Sequence, residues 1–199
     1  MSTLVQQPAP ALEATAVLAD GTMNEGFSLE DLRGRYVVLF FYPLDFTFVC
    51  PTEILAFDHA IEEYRARDCE VLGVSVDSPY THLAWRETPV DDGGIGPIRF
   101  PLVSDLKKTI ARKYGVLVDD SVALRATFLL DREGIVRHQV VNDLSLGRSV
   151  SDTLRTLDAL RHTERSGKVC PANWEDGKEA MEPTTVGVAK YLQDFALDL

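Results

Sequence analysis

The run Tyr36-Val37-Val38-Leu39-Phe40-Phe41-Tyr42 limits what this chain can become more than any other segment. Seven apolar or aromatic residues in a row, with no alternation, describe a strand covered on both faces. A strand of that kind needs helices above and below its sheet. The stretch Glu70 to Val76 has the same character, and Thr127 to Leu130 and Ile135 to Val141 add two shorter strands. The last two flank Asp131-Arg132-Glu133-Gly134, which reads as a hairpin turn with glycine at the position that requires positive φ.

Helical spacing fills the intervals. Ile54, Phe57, Ile61 and Tyr64 share one face of a helix, as do Val150, Leu154, Leu157 and Leu160 further on. A shorter helix is expected from Pro79, carrying Leu83 and Trp85, and a last one over Thr185 to Phe195. Strand–helix–strand alternation followed by a hairpin implies an α/β layered domain with a mixed sheet. Thr88 to Pro101 and Gly167 to about Pro183 read as loops. Residues 1–165 form the expected domain and 166–199 an extension with little core of its own.

Several function classes fall away. With 20 Lys plus Arg against 31 Asp plus Glu, the net charge is −11, which repels phosphate backbones and makes nucleic acid an unsuitable partner. No apolar run approaches the ~20 residues of a membrane span, and the N-terminus has neither basic start nor apolar stretch of a secretory signal. A cytoplasmic location without membrane contact is the resulting expectation. Cys50, Cys69 and Cys170 are too few and too scattered for a disulfide framework. His59, His82, His138 and His162 show no metal-ligand spacing.

Cys50 stands where the first strand gives way to a helix, followed by Pro51, a residue suited to a first helical turn. A thiol there faces unpaired backbone N–H groups and the positive end of the helix dipole. Cysteines in such positions commonly ionise at ~3.5–7.5 rather than ~8.5, and the thiolate is the nucleophile. On position alone, Cys50 reads equally as a nucleophile or as a small buried hydrophobe. A Cys-x-x-Cys dithiol is ruled out, because residue 53 is Glu53; any second thiol must come from elsewhere. Cys69, just ahead of a strand, reads as structural.

The segment Phe41-Tyr42-Pro43-Leu44-Asp45-Phe46-Thr47-Phe48-Val49-Cys50-Pro51-Thr52-Glu53 contains Pro-x-x-x-Thr-x-x-Cys and closely resembles the active-site loop of the typical 2-Cys peroxiredoxins, the group that includes bacterial alkyl hydroperoxide reductases. Gly73 to Ser78, His82-Leu83-Ala84-Trp85, Arg125-Ala126-Thr127-Phe128, Gly147-Arg148-Ser149 and Val169 to Trp174 resemble further stretches of that family, so the likeness runs over residues 5–190 or so. It implies a thioredoxin-like fold, a central mixed β-sheet flanked by helices, with a C-terminal arm.

The resemblance also implies an activity, a thiol-dependent peroxidase acting on hydrogen peroxide and organic hydroperoxides. Cys50 would attack the peroxide, Thr47 orient it, Arg125 stand beside the sulfur, Pro43 shield the site, and Glu53 and Arg148 support Arg125. Cys170 would resolve the sulfenic acid of a partner subunit as an intersubunit disulfide. Thioredoxin or a dedicated flavoprotein disulfide reductase would recycle it. Homodimers would assemble into a ring of ten subunits, and no metal, haem or flavin is called for. A Gly-Gly-Leu-Gly loop and a C-terminal Tyr-Phe pair delay resolution in oxidation-sensitive relatives. Here Gly93-Gly94-Ile95-Gly96 matches closely, whereas Tyr191-Leu192 lacks the adjacent aromatic residue. Two other readings compete: a redox-responsive chaperone, and a protein disulfide oxidoreductase, which the missing Cys-x-x-Cys disfavours.

Overall fold

The computed structural model describes residues 3–198. The chain divides into two compact units, Met1–Val150 and Ser151–Leu199. The first carries β1 (Glu13–Val17), β2 (Met23–Ser28), β3 (Tyr36–Phe41), α1 (Cys50–His59), α2 (Ile61–Arg65), β4 (Cys69–Ser75), α3 (Pro79–Glu87), β5 (Leu102–Ser104), α4 (Thr109–Lys113), β6 (Leu117–Val118), β7 (Val122–Ala123), β8 (Arg125–Leu130) and β9 (Val136–Asn142). The helix α5 (Val150–Ser166) begins at the boundary, and α6 (Thr185–Phe195) closes the second unit. None of these helices is long and apolar enough to cross a membrane.

Seven strands form one mixed sheet in the order β2-β1-β5-β4-β3-β8-β9. The strands β3, β4 and β5 run parallel, and β8 is antiparallel to β3 and β9 to β8. With α1 and α2 making the crossover from β3 to β4, this is the core of a thioredoxin-like fold. All six residues of β3 are buried, as the unbroken apolar run predicts. The hairpin turn is where it was expected, with Gly134 at φ 72°.

Strand alternation decides which residues meet the helices. Val37, Leu39 and Phe41 point into one core cluster with Tyr114, Val116, Ala126, Phe128 and Leu130. The other face of β3 therefore carries Val38, Phe40 and Tyr42, and there the Phe40 ring stacks on Phe57 of α1 at 4.4 Å. In β8 the same alternation sends Ala126, Phe128 and Leu130 to the first cluster and Arg125, Thr127 and Leu129 to the α1 face. Phe40 pairs with Thr127, so continuing the antiparallel register brings Arg125 level with the end of β3.

Some boundaries differ from the sequence expectation. The single helical face from Ile54 to Tyr64 is broken at Ala60 into α1 and α2. The sequence reading missed β1, β2, β5 and the small β6–β7 ribbon. In β1–β2, only Ala16, Val17 and Phe27 are deeply buried, too sparse a pattern for periodicity to register. The Gly94 backbone lies so close to Thr88 that an added Cβ would fall 1.9 Å from the Thr88 carbonyl oxygen, which explains why glycine stands there.

Phe57 seats α1 on the sheet and is fully buried. Phe57→Ala is expected to lower the unfolding free energy by about 3–5 kcal/mol, the usual loss for a buried phenylalanine. Urea denaturation of the reduced protein measures it, and a loss below about 1 kcal/mol would mean that α1 is held in some other way.

Candidate active site

Three elements converge at the C-terminal end of β3. The strand ends at Phe41, the chain passes through a loop containing Pro43 and Thr47, and α1 starts at Cys50 with Pro51 in its first turn. The Cys50 side chain is completely buried. Thr47 lies one turn earlier, and its Oγ1 is 2.9 Å from Cys50 Sγ and 2.8 Å from the Leu44 carbonyl oxygen. A hydroxyl has one proton. When that proton is given to Leu44, the lone pairs of Oγ1 are left facing the sulfur.

From the start of β8, Arg125 Nη1 reaches Cys50 Sγ at 3.3 Å and donates to Glu53 Oε2 at 2.7 Å. Its Nε donates to the Leu144 carbonyl at 2.7 Å, which fixes the plane of the guanidinium. Arg148 approaches Glu53 as a fork, Nε donating to Oε1 at 2.9 Å and Nη2 to Oε2 at 2.8 Å, with its backbone N–H adding a bond to Oε1 at 3.0 Å. Its Nη1 donates to the carbonyls of Phe41 (2.6 Å) and Ala126 (2.9 Å), and its guanidinium lies 5.0 Å over the Phe40 ring. Burial lowers the Arg148 pKa, and the bond to Glu53 and its negative charge oppose that.

Glu53 thus spends both oxygens on two arginines, and the three side chains are 2–5% exposed. The cluster holds two positive charges and one negative. A thiolate at Cys50 makes it neutral, so the site carries a place for one more negative charge beside the sulfur.

The structure brings Thr47, Cys50, Glu53, Arg125 and Arg148 together, and Pro43 is buried at the start of the loop. Cys170 belongs to the second unit. Its Sγ lies 3.7 Å from Thr163 Oγ1 and 3.6 Å from the Ala159 carbonyl, both on α5, and Val169 and Met181 beside it exchange two backbone hydrogen bonds of 2.9 Å. Cys69 is buried at the start of β4, in keeping with a structural reading. Tyr191 is followed by Leu192 rather than by an aromatic residue, and its ring lies 5.0 Å from that of Phe195, one helical turn on.

Sequence reasoning missed a second buried cluster behind the loop. Tyr42 Oη donates to Asp45 Oδ1 (2.8 Å), and Asp45 Oδ2 meets His82 Nδ1 at 2.7 Å. Burial raises the Asp45 pKa, opposed by the bond and charge of His82; burial and then the Asp45 charge hold the Tyr42 hydroxyl well above its usual value, so it remains a donor. Asp45 and His82 are 37 residues apart, and no local motif joins them.

Removing the charge of Glu53 would leave two buried guanidiniums facing each other. Glu53→Gln is expected to destabilise the reduced protein by about 3–5 kcal/mol in urea denaturation, as when one member of a buried ion cluster is lost. A loss below about 1 kcal/mol would show that Glu53 does not hold the two arginines.

Comparison with known proteins gives this geometry its context. Residues 5–139 match the AhpC/TSA family, and residues 159–194 match the C-terminal domain of 1-Cys peroxiredoxin. Alkyl hydroperoxide reductase C of Helicobacter pylori strain J99 is 48% identical over 197 residues, covering 98% of this chain and 100% of the relative. Peroxiredoxin-2 of Cricetulus griseus is 50% identical over 188 residues, 94% of each chain. The crystal structure of the reduced Plasmodium vivax 2-Cys peroxiredoxin superposes with a TM-score of 0.94 at 52% identity, covering 96% of this chain and 100% of that one. A buried cysteine at a helix start, a threonine and an arginine on its sulfur, and similarity along nearly the whole chain lead to one conclusion: the protein belongs to the AhpC/TSA family and is a thiol-dependent peroxidase of the typical 2-Cys peroxiredoxin type.

Proposed function

We propose that the chain reduces hydrogen peroxide and small organic hydroperoxides with Cys50 as the attacking thiolate and Cys170 as the resolving thiol. The observation that carries this reading is the pair of contacts on Cys50 Sγ, Thr47 Oγ1 at 2.9 Å and Arg125 Nη1 at 3.3 Å. The Thr47 hydroxyl accepts a hydrogen bond from the peroxide O–H and sets the O–O bond in line with the sulfur. The thiolate attacks the nearer oxygen; the S–O bond forms, the O–O bond breaks, and the electron pair leaves on the far oxygen. Arg125 stabilises that developing charge with a donor already fixed in place. Protonation releases water or an alcohol, and Cys50 is left as a sulfenic acid. Pro43 keeps water from the loop side, and Glu53 with Arg148 holds Arg125.

In the second step, the Cys170 thiol of the partner subunit condenses with the sulfenic acid, forming the S–S bond and releasing water. Bridged Cα atoms must approach to ~4.4–6.8 Å. Cys50 is sealed in the first turn of α1, so that turn unwinds, breaking the bonds of the Thr52 and Glu53 amides to the Val49 carbonyl. On the Cys170 side, the paired bonds between Val169 and Met181 open. Residues 166–199 act as the arm that brings Cys170 across, while 1–165 act as the peroxidase domain. An external dithiol of the thioredoxin type, or a dedicated flavoprotein disulfide reductase, reduces the bridge by supplying two electrons and is itself oxidised.

The working assembly under this reading is a ring of dimers, ten subunits in all, in the cytoplasm. Apolar side chains left open just before α1 and on α3 favour self-association: Phe48 is 95% exposed, Phe46 50% and Tyr80 73%.

Cys50→Ser is expected to abolish peroxide consumption, while Cys69→Ser keeps most of it. Peroxide-treated wild type should run as a covalent dimer on a non-reducing gel and collapse to monomer with dithiothreitol. Cys170→Ser should lose that dimer, consume about one peroxide per subunit and fail to turn over with thioredoxin. Equal loss of activity in the Cys50 and Cys69 variants contradicts the assignment of the nucleophile. An oxidised wild type that stays monomeric, with Cys50 and Cys170 bridged inside one chain, contradicts the intersubunit step.

A further inference from the structure

The loop between Phe41 and Cys50 contains no strand or helix, yet it must hold the Thr47 hydroxyl to within a fraction of an ångström. Its backbone takes an uncommon route, with Phe46 at φ 52°, a left-handed conformation that a bulky side chain resists. The anchors of that turn converge on Asp45. The carboxylate accepts from Tyr42 Oη on one oxygen and meets His82 Nδ1 of α3 on the other, and the backbone N–H donates to Asp77 Oδ2 at 2.9 Å. Asp77 Oδ2 is itself held by Ser75 Oγ at 2.7 Å. The side chains of Asp45 and His82 are both completely buried. Phe46 then lies against Trp85, ring centres 5.7 Å apart, and the next residue is Thr47, bonded back to the Leu44 carbonyl.

An apolar residue at position 45 could fill this space, but it would leave the buried Tyr42 hydroxyl and His82 Nδ1 without this acceptor. A buried carboxylate with two directional partners does something packing cannot: it fixes the rotation of the turn, and with it the direction of the Thr47 hydroxyl. The groups that set the charge on the sulfur come from elsewhere, Arg125 from β8 and Glu53 from α1. The two jobs are therefore carried by separate parts.

We infer that the buried Tyr42–Asp45–His82 cluster is a positioning device for the Thr47 hydroxyl, so that it governs how fast Cys50 meets peroxide without governing the general nucleophilicity of its sulfur. This rests on the reading of Thr47 as the group that orients the peroxide. Asp45 and His82 touch neither substrate nor sulfur; they act through the turn.

Two second-order rates on the reduced protein at one pH separate the roles: oxidation of Cys50 by hydrogen peroxide, and alkylation of Cys50 by iodoacetamide, which has no O–O bond to align. Thr47→Val is the reference and should lower the ratio of the two rates. Asp45→Ala should lower the same ratio about tenfold, because small misplacements of a reacting group carry large rate penalties. Tyr42→Phe, which removes one bond and keeps the ring, should lower it about threefold, with alkylation unchanged within about twofold in both. Asp45→Asn should recover most of the ratio, since its amide can still accept from Tyr42 Oη and donate to His82 Nδ1. If Asp45→Ala does not fold, Tyr42→Phe and Asp45→Asn decide. A ratio at the wild-type value in the Asp45 and Tyr42 variants while Thr47→Val responds overturns the inference alone. Oxidation and alkylation falling together overturn it too, since the cluster would then only hold the fold. No response in Thr47→Val removes the reading of Thr47 and this inference with it.

Discussion

Two buried guanidiniums share a single carboxylate, and the rest of the site is arranged around that fact. Glu53 accepts four hydrogen bonds, three from Arg148 and one from Arg125, with all three side chains out of water. Bringing such charges inside costs several kcal/mol each unless geometry and hydrogen bonding offset it. The offset here is nearly complete, because Arg148 also donates to two strand carbonyls and Arg125 to the Leu144 carbonyl. The unit still carries one positive charge in excess, and Cys50 Sγ is within 3.3 Å of it. The sulfur and the leaving oxygen of a peroxide are the places where negative charge can settle.

The sheet makes this placement possible. A parallel neighbour on one side of β3 and an antiparallel one on the other bring the end of β3 next to the beginning of β8. Alternation then turns Arg125 to the face that α1 covers, the same face on which Phe40 stacks against Phe57. A strand slip of one residue would send Arg125 into the opposite core. The long apolar strand that dominates the sequence is therefore also what sets the register of Arg125.

Much of this was legible in advance. The apolar runs announced β3 and β4, and Cys50 with Pro51 announced a helix start; both follow from local rules. Glu53, Arg125 and Arg148 carry no local signature, since a single arginine in a strand or loop is ordinarily a solvated one, and only the family motif pointed to them. The paired strands β2, at the sheet edge, and β1 beside it stayed hidden because few of their residues are buried. The link between Asp45 and His82 stayed hidden for another reason: a long-range polar contact between two singly occurring residues has no period and no spacing to detect. Periodicity records burial, whereas pairing between distant polar groups is settled only by the fold.

The central claim is that Glu53 acts on chemistry through Arg125, as one unit with it. A double-mutant cycle on the rate of Cys50 oxidation by peroxide tests this most directly, using Glu53→Ala, Arg125→Ala and the two combined. Groups that act as a unit are strongly non-additive. The double variant should therefore lose little more than Arg125→Ala alone. Losses that multiply, so that the double variant falls by the product of the two single effects, would mean that Glu53 and Arg125 contribute independently and would contradict the account.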